Sequence, residues 1–236
     1  MSRQRRFLIT CEHGGAHIPP RYRAVFAGQD ALLASHRGYD PGARTMARDL
    51  AAALNAPLFL SLTSRLLIDL NRSLGHPRLY SEITRLAPPA IRREICANYY
   101  LPYRRRVDEW ISAALSGGQH VVHISSHSFT PVLNGVVRNA DVGLLYDPSR
   151  AEESALCRRW QVALQNQPLP LRVRRNYPYK GRSDGLTAWL RKRFTPQTYV
   201  GIELEINQQW VFHDGQSWRK LRRAIIDALT QSTRAG

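Results

Sequence analysis

Short apolar runs of strand length recur along the chain: RFLITC (6–11), PLFLSL (57–62), RLLIDL (65–70), HVVHIS (120–125), VGLLY (142–146), LRVR (171–174) and YVGIELEI (199–206). Segments with helical apolar spacing lie between many of them. This alternation most restricts the fold, because strands that take turns with helices build an α/β sandwich around a largely buried central sheet. The spacing predicts helices over 41–55, 104–115, 150–165 and 218–229. Pro41 follows Asp40 as a first-turn proline follows an N-cap, and Gly117-Gly118 closes the second helix. No internal repeat, low-complexity tract or linker is legible in 236 residues, so one domain over 1–236 is expected.

Charge is the unusual property. Lys and Arg number 34 against 18 Asp and Glu, a formal net charge of +16. Such an excess invites a polyanionic partner. The arginines are spread over the whole chain, however, and the clusters at 104–106 and 191–193 fall in helical segments, where a solvated face is the plainer reading. No recognition helix, RNP pattern or zinc finger is legible, so nucleic acid stands as the minor alternative partner. No apolar run reaches the ~20 residues of a membrane span. The start, MSRQRRFLITC, lacks the sustained apolar stretch of a secretory signal. Cys11, Cys96 and Cys157 show neither CxxC nor zinc-ribbon spacing, and a reducing cytoplasm is expected. Oligomeric state is not legible.

Three loops are richer than connection requires: CEHGGAHIPP (11–20), SHSFTPVLNG (126–135) and RRNYPYKGRSDG (174–185). The first two follow strands, where open α/β sheets bind ligands, and both carry histidine. His13 alone reads as a polar loop residue. His127 ends a strand whose alternation puts His123 and Ser125 on its own face, with His123 the more deeply packed. Two strand-end histidines and a carboxylate match a catalytic zinc site, which keeps one position open. Asp40 is the carboxylate candidate, set against a plain N-cap role. Glu12, His17 and His36 are alternatives for the third ligand. In GIELEIN, Glu203 and Glu205 share one sheet face. They pair with arginines, or else Glu205 at the strand end is a general base with Glu203 as its partner. In SRLLIDLNRS, read as a strand entering a loop, Arg65 and Arg72 each need a carboxylate partner, either internal or a ligand's. Asp69 reads as an ion-pair or turn residue. Lys180 or Arg182 reaches a substrate only if 174–185 is a lid, and a solvated loop is the plainer reading. Trp110, Trp160, Trp189 and Trp218 read as core fillers. Ser126 and Ser128 read as hydroxyls beside a metal-site histidine, since no nucleophile elbow is present.

Taken together, ITCEHGG, HRGYDPGA, SRLLIDLNRS, ISSHSFTP with NG downstream, and GIELEIN resemble the N-formylglutamate amidohydrolase family from about residue 8 to residue 208. That family is similar to the zinc carboxypeptidase and aspartoacylase group. The resemblance implies a three-layer α/β/α sandwich with a mixed, mostly parallel central sheet (phosphorylase/hydrolase-like) and one catalytic Zn2+. By position it assigns substrate-carboxylate binding to Arg65, Asn71 and Arg72, a zinc ligand to His127 and the catalytic carboxylate to Glu205. His13 matches the first ligand, but the ligating Glu three residues later in those relatives is here Ala16. A carboxylate from elsewhere is then required, and Asp40 is the candidate. Arg138 stands where it can bind a second substrate carboxylate. The implied activity is hydrolysis of an N-acyl, above all N-formyl, acidic amino acid such as N-formyl-L-glutamate. The alternatives are an aspartoacylase-like deacylase with another acyl group, and a basic nucleic-acid-binding protein on a catalytically inactive version of the fold.

Overall fold

The computed structural model describes residues 4–234; residues 1–3 and 235–236, the ends of the expected domain, lie outside the described residues. Its strands are β1 (Arg5–Cys11), β2 (Leu58–Leu60), β3 (His120–Phe129), β4 (Val132–Leu133), β5 (Val136–Val137), β6 (Val142–Leu145), β7 (Val173–Arg175) and β8 (Tyr199–Asn207). The helices are α1 (Asp30–Ala34), α2 (Ala43–Ala53), α3 (Glu82–Arg85), α4 (Pro89–Ile95), α5 (Leu101–Ser116), α6 (Ala151–Gln165), α7 (Leu186–Arg191), α8 (Gln209–His213) and α9 (Gly215–Arg234). The central sheet runs β2-β1-β3-β8-β6-β7. β2, β1, β3 and β8 pair in parallel, and β6 is antiparallel to β8. This is the expected mixed, mostly parallel sheet.

Two apolar clusters cover its faces. On one face Ile9, Ile124, Ile202 and Leu204 pack against α2, α6 and α9, with Trp160 wholly buried. On the other, Leu8, Val121 and Tyr199 pack against Val107 and Ile111 of α5 and Leu186 and Leu190 of α7. Strict alternation along β1, β3 and β8 feeds both layers, as a sheet covered on both sides requires. All three cysteines are free. Among the described residues no helix is long and apolar enough to cross a membrane.

The strand expected at 65–70 is absent. Residues 65–67 form a turn, in which Leu67 N bonds Ser64 O at 3.0 Å, and Asp69 N bonds Leu79 O at 2.8 Å. Leu66, Leu67, Ile68 and Leu70 are all buried, so the apolar pattern reported burial on several sides rather than a pleat. The first long helix starts at Ala43, not Pro41. Its N-cap is Gly42, in a left-handed conformation at φ 82°, and Asp40 does not cap it.

A π-helical turn at Cys96–Tyr100 joins α4 to α5. Pro102 follows at once; it has no N–H to give and its ring crowds the preceding turn, which the wider turn relieves. Between β3 and β6, the hairpin β4–β5 turns at Asn134 and Gly135, both with positive φ, as a two-residue hairpin turn demands.

One buried ion pair ties α6, α7 and β8 together. Arg191 Nε donates to both oxygens of Glu153 at 3.0 and 3.1 Å, while Nη1 and Nη2 donate to the Gly181 and Gly201 carbonyls at 2.6 Å each. Arg191→Met would leave the buried Glu153 without its charged partner. The expected loss is about 3–5 kcal/mol of unfolding free energy, read by urea denaturation. A loss under about 1 kcal/mol would show that the pair holds nothing together.

Candidate active site

The second sheet face changes character along its strands. Near the amino ends it presents Leu8, Val121 and Tyr199; toward the carboxyl ends it presents Thr10, His123, Ser125, His127, Glu203 and Glu205, every one buried. The parallel register places Ser125 opposite Glu203 and His127 opposite Glu205. His13 lies just past β1, in a loop held to β2 by Gly14 N on Ser61 O at 3.1 Å. Asp40 N bonds His13 O at 2.9 Å, which brings the residue before α2 over the same spot.

His13, Asp40 and His127 therefore converge, with one donor atom from each lying within 4.8 Å of the others. The imidazole rings are 5.0 Å apart. Asp40 Oδ2 faces His127 Nδ1 at 2.9 Å and His13 Nδ1 at 3.4 Å. The outer nitrogens are held from behind by carboxylates: His13 Nε2 by Asp69 at 2.7 Å and His127 Nε2 by Glu12 at 3.0 Å. Carboxylate–histidine pairs of this kind orient the ring and favour the tautomer with Nδ1 directed inward. This buried group can hold a metal ion. Glu12 is itself anchored by Ser125 at 2.6 Å and Tyr103 at 2.9 Å.

Burial alone would lower the His127 imidazole, but Asp40 and Glu12 on its two nitrogens hold it well above its ordinary value. Burial would likewise raise Glu12 and Asp40. The histidines beside them, with Ser125 at Glu12 and Arg65 at Asp40, instead keep both far below the usual carboxylate range. Glu205 goes the other way. Burial pushes it up to about 8, with His127 opposing the shift and Asp40 and Glu203 adding to it. Its Oε2 is buried with no hydrogen-bond partner among the described residues.

The other residues singled out in the sequence are distributed around this centre. Glu203 accepts from Thr187 at 2.6 Å. Arg65 has internal partners, Asp69 at 2.8 Å and Asp40 at 3.3 Å. Asn71 Oδ1 accepts from Leu186 N at 2.6 Å, which leaves its amide nitrogen 3.5 Å from His127 Nε2. Arg72 donates to the Asp184 carbonyl at 3.0 Å. Arg65, Arg72 and Asp69 line a cavity of about 380 Å3 with Arg37, Arg78 and Arg85. Arg138 lies over the ring of Tyr179, 5.0 Å from its centroid. Ser126 and Ser128 donate to the Ala43 and Pro41 carbonyls. His123 is sealed between Thr10 at 2.8 Å and Tyr199 at 2.7 Å. His17 and His36 are exposed and outside the cluster, and Glu12 sits at the rear of His127 rather than beside Asp40. Lys180 and Arg182 are exposed.

Sequence reading did not single out Tyr103 or Tyr179. Tyr179 is half-exposed beneath Arg138, and its phenol is raised by burial and then by Glu205. Nothing in YPY signals this. Gly143 explains how the segment arrives. A Cβ there would sit 2.1 Å from the Tyr177 carbonyl oxygen, so only glycine lets the chain cross back over β6.

A mostly parallel sheet with helices on both faces and a buried His–Asp–His cluster at its carboxyl edge defines an α/β protein with a candidate metal centre. The family model of N-formylglutamate amidohydrolase matches residues 5–211, and the chain belongs to that family. It is similar in structure to a gene product of Agrobacterium tumefaciens, with TM-score 0.83 and 28% identity over 97% of this chain and 90% of that one. It shares its fold with an N-formylglutamate amidohydrolase from Ralstonia eutropha JMP134, with TM-score 0.71 and 16% identity over 100% and 96% of the two chains. No curated protein matches it significantly by sequence.

Proposed function

We propose that this chain is a metal-dependent amidohydrolase that removes the formyl group from N-formyl-L-glutamate, releasing formate and glutamate. The observation that carries this reading is the buried convergence of His13, Asp40 and His127 beside the unpartnered carboxylate of Glu205. The family match supports the substrate class. Three donors of this kind suit one zinc ion, which when bound supplies Lewis acidity and makes water acidic enough to attack near neutral pH.

The chain's own groups do the rest. Glu205 takes a proton from the attacking water and returns it to the departing amine nitrogen, in a pocket that burial keeps dry. Asp69 and Glu12 keep both imidazoles turned inward. Arg65 already serves Asp40 and Asp69, so its role is to set the field of the cavity floor. The amide nitrogen of Asn71 and the remaining donors of Arg72 grip the substrate carboxylate, for which arginine's planar fork is suited. Arg138 and Tyr179 close on the second carboxylate from the opposite rim.

The test is a panel of N-formyl, N-acetyl and N-succinyl derivatives of glutamate and aspartate, assayed with the zinc-loaded protein. N-formyl-L-glutamate is expected to have the highest kcat/KM, by about tenfold or more over the larger acyl groups, because an oversized acyl group clashes in a buried centre. Preference for N-acetyl substrates would reassign the protein as another deacylase. Hydrolysis of none would overturn the reading.

A further inference from the structure

Behind the segment that carries Asn71 and Arg72 lies a second cavity, of about 700 Å3, bordered by neither histidine of the buried centre. Ser73 and Leu74 form one end of its wall, and residues of the π turn, α5 and α7 form the other. Arg104 stands in this wall between two aromatic rings, its guanidinium carbon 4.8 Å from the Trp189 centroid and 5.2 Å from that of Tyr100. It is only 4% exposed. Both terminal nitrogens are buried, and neither makes a hydrogen bond among the described residues. Stacking on two rings offsets part of the desolvation of the charge, but it leaves the in-plane donors unused. The contrast with two other buried arginines is direct, since Arg150 and Arg191 aim their terminal nitrogens at carbonyl oxygens.

The surroundings favour an anion. Lys192 and Arg105 add positive charge, and the one acidic lining residue, Asp108, is already held by Arg193 through bonds of 2.6 and 3.0 Å. Leu101, Pro102 and Trp189 supply apolar wall. The π turn is a second sign, since such turns often mark functional positions, and this one sets Ala97 and Tyr100 on the cavity.

We propose that this cavity is a second ligand site, for an organic oxyanion whose carboxylate or phosphate group is held by Arg104 and Lys192 and whose apolar body packs on Trp189 and Leu101. Because both terminal nitrogens are buried, binding turns the edge of Arg104 outward through its outer side-chain torsions. Tyr100 also donates to the Arg72 carbonyl at 2.8 Å, so the ligand rests against the support of the Arg72 segment without touching the histidines.

Calorimetric titration of the full chain with benzoate and with phenyl phosphate tests this without reference to hydrolysis and tells the two head groups apart. At least one is expected to bind saturably, and its affinity is expected to fall about tenfold or more in Arg104→Met. The same loss is expected in Ala97→Phe, which fills the cavity from an exposed position and keeps the test decisive if Arg104→Met does not fold. Failure of both anions to bind would overturn the proposal. So would wild-type affinity in either folded variant.

Discussion

Glu205→Gln is expected to lower kcat for N-formyl-L-glutamate by about a hundredfold to ten-thousandfold while KM and zinc content stay near those of the unaltered protein. The substitution keeps the size of the side chain and removes its capacity to take a proton. Glu205 lies opposite His127 in the β3–β8 ladder, and its buried Oε2 has no hydrogen bond among the described residues, so no structural contact is lost with it. A second readout comes from pH. In the metal-free protein Glu205 is raised from 4.5 to about 8, so folding favours its protonated form. Its contribution to stability is complete below the ordinary value and is lost as pH rises through about 8. Metal-free protein should therefore melt at falling temperature across that interval, and Glu205→Gln should flatten the slope. A kcat within tenfold of the unaltered protein would remove Glu205 from the proton transfer.

Asp40→Ala should abolish measurable hydrolysis and reduce zinc affinity more than hundredfold, beyond the 10- to 100-fold typical of losing an outer carboxylate. Among the described residues Asp40 is the only carboxylate in the His13–His127 group; Ala16 offers none, and Glu12 faces the rear nitrogen of His127. Asp69→Asn, by contrast, should weaken zinc only within that 10- to 100-fold range, because it loosens one imidazole without removing a donor. Protons report the same chemistry. His127 is held as an imidazolium in the metal-free protein and must be neutral to bind a cation, and Glu205, raised to about 8 there, must ionise to act as a base, so zinc uptake at neutral pH should release between one and two protons. Calorimetry in two buffers of different ionisation enthalpy measures that number. Asp40→Ala protein that still binds zinc with unchanged affinity would dismiss this centre.

Much of the architecture is visible in the sequence because the sheet strands are covered on both sides and carry apolar residues on both faces over strand-length runs; β1 and β6 are the clearest cases. The same cue misleads at 65–70, where four buried apolar residues line a turn. Periodicity cannot separate a pleat from a coil buried on several sides. Of the candidate centre, His127 and Glu205 are legible because alternation along β3 and β8 fixes which way they point. Asp40 competes with helix capping, and only the fold settles where its carboxylate turns. The pairing of Asp69 with His13, 56 residues away, leaves no local trace in sequence. The same holds for Tyr103 reaching Glu12 across 91 positions. These are contacts of tertiary closure, and propensity or spacing has no access to them.

The direction of β6 has an evolutionary consequence. Because it runs against β8, its first residue pairs with Ile206 near that strand's end, so the chain from Phe129 to Val142 never leaves the rim bearing the histidines. The crossing at Gly143 then returns a second stretch, whose Tyr179 meets Arg138 of the first. The groups proposed for bond breaking lie on β3, β8, the loop after β1 and the approach to α2, whereas the two excursions are the β3–β6 connection and the chain that follows β7. Their length and composition can drift, and with them the choice of acyl or amino-acid partner, without disturbing the strands that carry the chemistry.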